Sequence, residues 1–413
     1  MRNIKRWLFI SCLLILTFAL AACNEEDSPG EKKETSGEAT KGKEATEELE
    51  EKEAKELIIG YSGPLSGPAA FYGEETLNGL TLAAEDINED GGIEVDGQTY
   101  TIKLESLDDM YSPNETAANA KRLVQENKAK IIYSPHSGGI YAMQVFNEIE
   151  DFIIMGYTSE PGATEQGNTL NVRIPPRYDK YLEPFTEYEM EQFGKKIAFL
   201  PTSSQYGKDW SEALRPVWEA NGGEIVFDES VDFSKDTDFQ TIMANALSKD
   251  PDVLFIGGPS EPTALVLKQA RDLGFEGGFL VMDQAKIDQM AAVLGGNYDL
   301  LEGVIATPPL VDSEYPGTKE FIEKYKEKYD KDPGAEAGFH YLSLYVLTEA
   351  MKVAGTVDDT KEIMASLDEG ANNLPENKQV YVIKGVGDDG GFELLLRMAY
   401  IEDGELHQFG DEE

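Results

Sequence analysis

Short apolar strands alternate with helices along most of this chain, and that alternation restricts the fold class more than any other feature. Residues 56–61 form an apolar strand, and residues 74–88 form a helix with Leu77, Leu80 and Ile87 on one stripe. Further strands are predicted at residues 100–104, 130–133, 152–157, 196–200, 224–227, 252–256, 279–282 and 303–307. Helices are predicted from residue 112 and at residues 140–149, 207–220, 239–247, 262–273 and 286–294. Short units of this kind indicate an α/β fold with parallel sheets and helices on both faces.

The clearest helix start is Ser112-Pro113-Asn114-Glu115. Pro113 suits the first helical position, because its missing N–H would have no partner there anyway. Ser112 is predicted to cap free backbone N–H groups with its side chain, and Glu115 to complete a capping box.

The end of the chain departs from the alternation. Helices are predicted at residues 318–329, 337–353 and 360–367, followed by strands near residues 379–384 and 395–402. Two proline pairs, Pro175-Pro176 and Pro308-Pro309, are predicted to lie on extended crossovers between two lobes, although two ordinary surface loops would carry the same prolines. A chain this long usually exceeds a single core, which also favours two lobes.

The predicted organisation follows the order of the chain. It comprises a lipoprotein signal peptide at residues 1–22, an acidic tether at 23–55, the first part of lobe 1 at 56–174, the main part of lobe 2 at 175–307, the second part of lobe 1 at 308–391 and a C-terminal strand of lobe 2 at 392–413. The fold class that these spans predict is α/β, with two doubly wound parallel-sheet lobes joined by crossover hinge segments.

The first residues have the pattern of an export signal. A basic start precedes an apolar run over residues 7–20, which is too short for a transmembrane helix of about 20 residues. Leu20-Ala21-Ala22-Cys23 follows, and it resembles the bacterial lipobox, in which the cysteine is acylated and becomes the new N-terminus. An ordinary signal peptide with a chance cysteine is the alternative. The pattern favours a lipid anchor on Cys23 and a place on the extracellular side of the cell membrane.

Charge and cysteine content exclude several classes of function. Residues 24–55 hold twelve acidic and six lysine side chains and no aromatic one, so they cannot bury enough surface to offset the entropy of ordering them. The net charge of −42 excludes nucleic acid and anionic lipid surfaces as partners.

Cys12 leaves with the signal and Cys23 takes the lipid, so the folded part has no disulfide, thiolate metal site or catalytic cysteine.

Motifs for catalysis are weak. His136, His340 and His407 are far apart in sequence and show no zinc spacing, so no metal is predicted. Residues 135–139 superficially match a nucleophile elbow, but Pro135 stands where that motif has glycine. Residues 385–390 match a dinucleotide-binding spacing, yet only 23 residues follow, too few for the helix and strand that complete such a site. The sequence therefore predicts a protein that is not an enzyme and has no cofactor.

The loop after the first strand is the most informative stretch. It reads Tyr61-Ser62-Gly63-Pro64-Leu65-Ser66-Gly67-Pro68-Ala69-Ala70-Phe71-Tyr72-Gly73. Matching pieces follow in order: Leu107-Asp108-Asp109, Tyr206-Gly207, Thr237-Asp238-Phe239, Gly257-Gly258, Lys268 through Gly274, and Glu302-Gly303-Val304. Each piece is weak alone, but together they resemble the type I periplasmic binding proteins of the branched-chain amino-acid (leucine/isoleucine/valine) transport class. The resemblance covers almost all of the chain beyond the tether.

Ligands of open α/β sheets bind beyond the carboxyl ends of the strands, where a zwitterion needs donors for its carboxylate and an acidic partner for its ammonium. The resemblance implies that Ser137 and Ser159 hold the carboxylate of an amino acid. It implies that the Tyr157 carbonyl and Asp283 take the ammonium. The resemblance further implies that Tyr72 and Tyr206 form walls of the pocket, and Ser260, which follows Gly257-Gly258 after a strand, is a further candidate. Either serine could instead cap a helix or turn, and Tyr72 could be a core aromatic.

The function implied by the resemblance is that of a membrane-anchored solute receptor of an ABC importer. Such a receptor binds an amino acid, branched-chain or aliphatic, or a related small solute by closing its lobes, and then docks as a monomer on a membrane permease. The alternative is a ligand-sensing lipoprotein of the same fold acting on a membrane receptor. Neighbouring genes for a permease and an ATPase would favour import, and a receptor gene alone would favour sensing.

Overall fold

The computed structural model describes residues 53–233 and 238–411. The predicted signal peptide, Cys23 and all but the last three residues of the predicted tether lie outside these ranges. Of the helices within them, none combines the length and the apolar character that a bilayer span requires.

The first sheet has six strands in the order β2-β3-β1-β4-β5-β6, all parallel to their neighbours except β2. They are β1 (Lys55–Gly63), β2 (Ile93–Val95), β3 (Gln98–Asp108), β4 (Ile131–Ser134), β5 (Ile153–Gly156) and β6 (Asn171–Arg173). The helices of this part are α1 (Ala70–Glu89), α2 (Pro113–Gln125), α3 (Ser137–Gln144), α4 (Asn147–Glu150) and α5 (Gly162–Glu165).

Side chains of the central strands alternate between two cores, one on each face of the first sheet. In β5, Ile153 and Met155 pack in one core, while Ile154 packs in the other with Leu123 of α2 and Ile140 of α3. Because successive side chains of a strand point to opposite faces, this continuous apolar run belongs to a sheet that helices cover on both sides.

The second sheet has seven strands in the order β15-β14-β11-β10-β9-β7-β8. Its parallel part consists of β7 (Lys196–Pro201), β8 (Glu224–Asp228), β9 (Val253–Gly257), β10 (Gly278–Val281) and β11 (Val304–Ala306). The helices of this part are α6 (Asp179–Gln192), α7 (Gln205–Ala220), α8 (Gln240–Leu247), α9 (Ser260–Asp272) and α10 (Ile287–Val293). Helices α6 and α7 share a core on one face, and α8, α9 and α10 share the core on the other.

After β11 the chain returns to the first sheet and then goes back to the second. The returning elements are α11 (Thr318–Tyr329), α12 (Ala335–Ala354), α13 (Thr360–Ala365), α14 (Leu367–Asn372) and the antiparallel pair β12 (Ile383–Val386) and β13 (Phe392–Leu394). They pack in the core of the first sheet. The hairpin of β14 (Arg397–Glu402) and β15 (Glu405–Gly410) then pairs antiparallel with β11.

We call the first sheet with its helices lobe 1, and the second sheet with its helices lobe 2. The prediction of an α/β fold with two parallel-sheet lobes is confirmed. The chain passes between the lobes three times, and the first two passages contain the Pro175-Pro176 and Pro308-Pro309 pairs. The third passage follows Leu394 and not residue 391, because Phe392–Leu394 pairs with β12 and packs in the lobe 1 core. The other bounds of the lobes stay a prediction.

Four local features differ from the expectations. Helix α6 is not predicted by the sequence pattern, since Pro184 lies inside it. The predicted helix at residues 140–149 is two helices, because Phe146 N–H turns back to the Met143 carbonyl. Ser112 lies at the start of α2, but its side chain makes no capping hydrogen bond, so the capping box is wrong. The single C-terminal strand is a hairpin, which Gly404 permits by adopting a positive φ at the turn.

A buried carboxyl in α6 gives the first testable prediction. Glu189 is fully buried, and neither of its carboxyl oxygens has a hydrogen-bond partner among the described residues. Burial therefore raises the pKa of Glu189 well above its usual range. A raised folded-state pKa means that stability is fully present below the unfolded pKa of about 4.3 and is lost as the pH rises toward the folded pKa.

We expect Glu189→Gln to remove this loss, because the amide keeps the shape of the side chain and never ionises. The difference in unfolding free energy between variant and wild type should grow by up to about 1.4 kcal/mol per pH unit above pH 4.3. Thermal unfolding between pH 4 and 9 measures it, with Glu191→Gln on the exposed face of α6 as control. If the unfolding free energies of Glu189→Gln and wild type change with pH in the same way, Glu189 is ionised in a solvated setting.

Candidate functional site

A cavity lies between the two lobes at the carboxyl ends of their parallel strands. From lobe 1 it is lined by residues that follow β3, β4 and β5, and from lobe 2 by residues that follow β7, β10 and β11. All three passages between the lobes also border it, through Pro175, Pro308 and Leu395. This is the position at which open α/β sheets bind their ligands.

The structure brings together most of the residues that the sequence singled out. The cavity is lined by Tyr72, Ser137, Tyr157, Ser159, Tyr206 and Asp283. Ser260 does not line it. Its hydroxyl accepts a hydrogen bond from the backbone N–H of Lys286 at 3.0 Å and donates to Gln289 Oε1 at 2.5 Å. Ser260 therefore supports the loop behind the cavity wall.

Asp283 is the centre of a buried polar cluster in lobe 2. Its Oδ1 accepts a hydrogen bond from the Tyr206 hydroxyl and another from Trp210 Nε1 at 3.1 Å. The Trp210 N–H also lies 3.0 Å from the Tyr206 hydroxyl oxygen. Within the described residues, Oδ2 of Asp283 accepts no hydrogen bond, so this cavity-lining carboxylate keeps one oxygen for another partner.

The lobe 1 wall is built from hydroxyl groups and aromatic rings. Ser137 Oγ lies 2.6 Å from Thr158 Oγ1, and the Tyr72 hydroxyl donates to the Pro135 carbonyl at 2.6 Å. The Tyr157 ring is 6.3 Å from that of Tyr72 and 5.7 Å from that of Phe339. The pocket thus has an apolar, aromatic wall in lobe 1 opposite a charged loop in lobe 2.

Direct contacts join the lobes beside the cavity, and two of them involve residues that line it. Ser159 Oγ in lobe 1 lies 3.1 Å from the Tyr206 hydroxyl in lobe 2. Gln284 Nε2 in lobe 2 donates to the Tyr111 hydroxyl in lobe 1 at 3.1 Å. The sequence motif that ends at Asp109 stops just short of Tyr111. Tyr111 and Met110 both have a positive φ, at 61° and 52°. Two carboxylates stabilise this conformation: Asp109 accepts a hydrogen bond from the Tyr111 backbone N–H, and Asp108 accepts one from the Met110 backbone N–H.

The histidine next to Ser137 does not form a catalytic arrangement. His136 Nε2 lies 3.0 Å from Asp109 Oδ2, and His136 Nδ1 accepts the Gly139 backbone N–H at 3.0 Å. Both ring nitrogens are therefore engaged, while Ser137 is paired with Thr158. A serine nucleophile needs the base to accept its proton, and here the base has no free nitrogen for it.

Comparison with known proteins agrees with this geometry. A family model described as "Periplasmic binding protein" matches residues 56–382.

The chain belongs to the periplasmic binding protein family.

Curated relatives cover most of this periplasmic binding protein. An "Amino acid binding protein" from Pseudomonas aeruginosa is 28% identical over 309 residues, which are 74% of this chain and 81% of the relative. A "Leu/Ile/Val-binding protein" from Escherichia coli is 23% identical over 82% of this chain and 90% of its own length. These relatives are binding proteins, and this periplasmic binding protein is likewise a solute-binding protein and not an enzyme.

Solved structures confirm the type I fold of this periplasmic binding protein. The branched-chain amino acid transporter substrate binding protein of Streptococcus pneumoniae, in complex with isoleucine, has a TM-score of 0.72 at 21% identity, covering 86% of this chain and 99% of its own. A solute binding protein from Rhodopseudomonas palustris, in complex with benzoate, has a TM-score of 0.71 at 19% identity, covering 86% and 95%.

In this periplasmic binding protein two acidic side chains from different lobes interact. Glu160 follows β5 in lobe 1, and Asp209 lies on α7 in lobe 2. Burial, reinforced by the nearby Asp209 carboxylate, raises the pKa of Glu160 to about 8. If the lobes separate, we expect Glu160 to lose the influence of Asp209 and part of its burial, so its pKa should fall and closing the lobes should take up a proton.

We therefore expect ligand affinity to fall as the pH rises from about 4.3, the usual pKa of glutamate, to about 8, and then to level off. Asp209→Asn removes the negative charge beside Glu160, so the pKa of Glu160 should rise less on closure. The fall in ligand affinity should then be smaller and should end at a lower pH. Calorimetric titration between pH 5 and 9 with the solute that co-purifies measures this, with Glu212→Gln on the exposed face of α7 as control. A pH profile that Asp209→Asn leaves unchanged would argue against a link between Glu160 and closure.

Proposed function

We propose that this chain is the extracellular, lipid-anchored receptor of an ABC importer, and that it binds an amino acid or a closely related small solute between its lobes. The observation that carries the proposal is Asp283, a buried carboxylate that lines the interlobe cavity with one oxygen left for a ligand. A carboxylate at this place is a partner for an ammonium group.

The relatives support an amino-acid ligand. Proteins similar to this chain are named for binding amino acids or leucine, isoleucine and valine, and one similar structure contains isoleucine. The benzoate complex of another similar structure shows that this fold also accommodates an acid without an amino group. In the proposed site Asp283 takes the ammonium, Tyr72, Tyr157 and Tyr206 form the walls, and Ser137 and Ser159 contribute hydroxyl groups.

Closure is the proposed means of capture. The three passages between the lobes border the cavity, and Ser159–Tyr206 and Gln284–Tyr111 form contacts that only adjacent lobes can make. The hydrogen bond from Gln289 Nε2 on α10 to Glu336 Oε2 on α12, at 2.8 Å, is a third contact of this kind. The closed form then presents both lobes together to a membrane permease.

Ligand identification tests the proposal directly. Protein purified without added solute is mildly denatured, the released small molecules are identified by mass spectrometry, and the refolded protein is screened by thermal shift against the twenty amino acids. We expect an amino acid or a small relative of one to be released and to raise the melting temperature on addition. A released sugar or nucleotide, with no response to any amino acid, would contradict the proposal.

A further inference from the structure

We infer that Lys286 binds the carboxylate of the ligand, so that the site selects small carboxylic acids with an apolar or aromatic body, amino acids among them. This rests on the proposed function and assigns the acidic end of the solute to lobe 2. The resemblance to the branched-chain amino-acid binding proteins implies instead that Ser137 and Ser159 hold the carboxylate.

Lys286 is a buried ammonium without an anionic partner. Its side chain is 4% exposed and lines the cavity at the start of α10. Its Nζ donates to the Asp283 backbone carbonyl, and within the described residues it forms no ion pair. An ammonium that is removed from water without an anion is unfavourable by several kcal/mol, so a ligand anion at this place gains a strong interaction.

The buried carboxyl groups that interact with Lys286 do not replace a ligand. Glu336 of α12 is fully buried, and its Oε2 accepts a hydrogen bond from Gln289 Nε2 at 2.8 Å. Burial raises the pKa of Glu336 to about 7, although the charge of Lys286 opposes that shift. At neutral pH Glu336 is therefore only partly ionised. Asp288 is a second buried carboxyl, and burial raises its pKa although the charge of Lys286 opposes that shift, but in the part of the chain that the structure describes neither carboxyl forms an ion pair with Lys286.

The hydrogen-bond directions in lobe 1 leave few hydroxyl donors for a carboxylate. A carboxylate oxygen only accepts, so the single Tyr206 proton is directed at Asp283. Ser159 must then be the donor in its contact with Tyr206, which uses its only proton. Ser159 can still accept a hydrogen bond from an ammonium or a water, but it has nothing to donate to a ligand carboxylate.

The remaining hydroxyl pair is a weaker carboxylate site than Lys286. Ser137 and Thr158 form one hydrogen bond with each other, so a single proton is left between them. Lys286 has two N–H groups beyond its bond to the Asp283 carbonyl, and charge-assisted hydrogen bonds are about twice as strong as neutral ones.

The position of Lys286 defines the class of solute. Asp283 and Lys286 lie three residues apart on one loop, so this loop can bind both charges of a zwitterion. The aromatic rings of Tyr72, Tyr157 and Phe339 take the apolar body. Asp283 already accepts two hydrogen bonds from the protein, whereas Lys286 forms no ion pair with any residue that the structure describes. The carboxylate of the ligand is therefore required, and its amino group adds affinity.

Three matched probes separate the two charges: L-leucine, L-leucinamide, which lacks the carboxylate, and 4-methylpentanoate, which lacks the amino group. We expect wild type to bind L-leucine most tightly, 4-methylpentanoate less tightly and L-leucinamide least. Lys286→Met should weaken the binding of L-leucine and 4-methylpentanoate by roughly 30-fold or more, and Lys286→Arg by less. Lys208→Met on the exposed face of α7 is the matched control and should change neither affinity. Equal binding of L-leucinamide and L-leucine, or an unchanged affinity in Lys286→Met, would overturn the inference.

Stability of the ligand-free protein gives a readout that needs no ligand. Removing an uncompensated buried ammonium should raise the melting temperature of Lys286→Met by about 2–4 °C. A purely structural Lys286, acting as the donor to the Asp283 carbonyl, predicts a lower melting temperature. If wild type binds none of the three probes nor any other amino acid, the proposed function fails. In that case the melting temperature of ligand-free Lys286→Met is the remaining test. A value above that of wild type would support the inference, and a value below it would overturn the inference.

Discussion

Replacing Asp283 by alanine is expected to lower the affinity for an amino acid by roughly 30- to several thousand-fold. The carboxylate lines the interlobe cavity and has one oxygen without a partner in the described residues. Without it, a bound ammonium would be buried with no anion, and truncation of one member of such a pair typically weakens binding by about 2–5 kcal/mol. Calorimetric titration with the solute that co-purifies measures the loss.

The structure adds a second effect of Asp283→Ala that the sequence does not predict. The variant removes the acceptor that the buried Tyr206 hydroxyl and Trp210 Nε1 share, although Trp210 Nε1 also lies 3.0 Å from the Tyr206 oxygen. A buried donor that loses its acceptor destabilises a protein by about 1–3 kcal/mol, so the melting temperature of the empty protein should fall as well.

Asp283→Asn is the sharper test for this reason. Its amide oxygen can still accept from Tyr206 and Trp210, while its charge is gone. We expect a smaller affinity loss than in Asp283→Ala and a nearly unchanged melting temperature. Asp272→Asn, on the exposed end of α9, is the control. An amino acid bound as tightly by Asp283→Asn as by wild type would leave the ammonium without its proposed partner.

Cys23→Ser is expected to release nearly all of the protein from membranes. Cys23 follows Leu20-Ala21-Ala22 and lies outside the described residues, so this prediction comes from the sequence. Two acyl chains anchor a protein stably and one only marginally, whereas a strongly acidic soluble domain has no attraction to anionic lipid. Cell fractionation followed by immunoblotting measures the distribution.

Cys12→Ser is the matched control for the anchor, since Cys12 lies within the predicted signal peptide. That variant should stay in the membrane fraction. A Cys23→Ser protein that also stays there would mean that the N-terminal segment is retained as the anchor.

The alternation of strands and helices was predictable because the central strands of both lobes are buried on two faces. In β9, Leu254 packs in one core and Phe255 in the other, so the sequence shows an unbroken apolar run bounded by glycine and polar residues. Helix α6 was not predictable by the same logic. It contains Pro184 and the buried, polar Glu189, and its helical state depends on packing against α7 and the second sheet.

The candidate site was predictable where residues follow directly from strand ends. Ser137, Ser159 and Asp283 come shortly after β4, β5 and β10, and parallel strands bring such positions to one edge. Ser260 also follows a strand, but it turns toward Gln289 on α10. Tyr111 was missed because it depends on two consecutive positive φ values at residues that are neither glycine nor asparagine, which tertiary contacts must impose.

The return of the chain to lobe 1 also determines when that lobe can be completed during synthesis. Helix α12 is apolar around most of its circumference and packs on α1, more than 240 residues earlier in the sequence. Until α12 leaves the ribosome, this face of the first sheet has α1 but its core is incomplete, and contacts so distant in sequence form slowly. A nascent chain whose core stays incomplete for most of its elongation folds late, and an unfolded chain is the form that can be threaded through a narrow secretion channel.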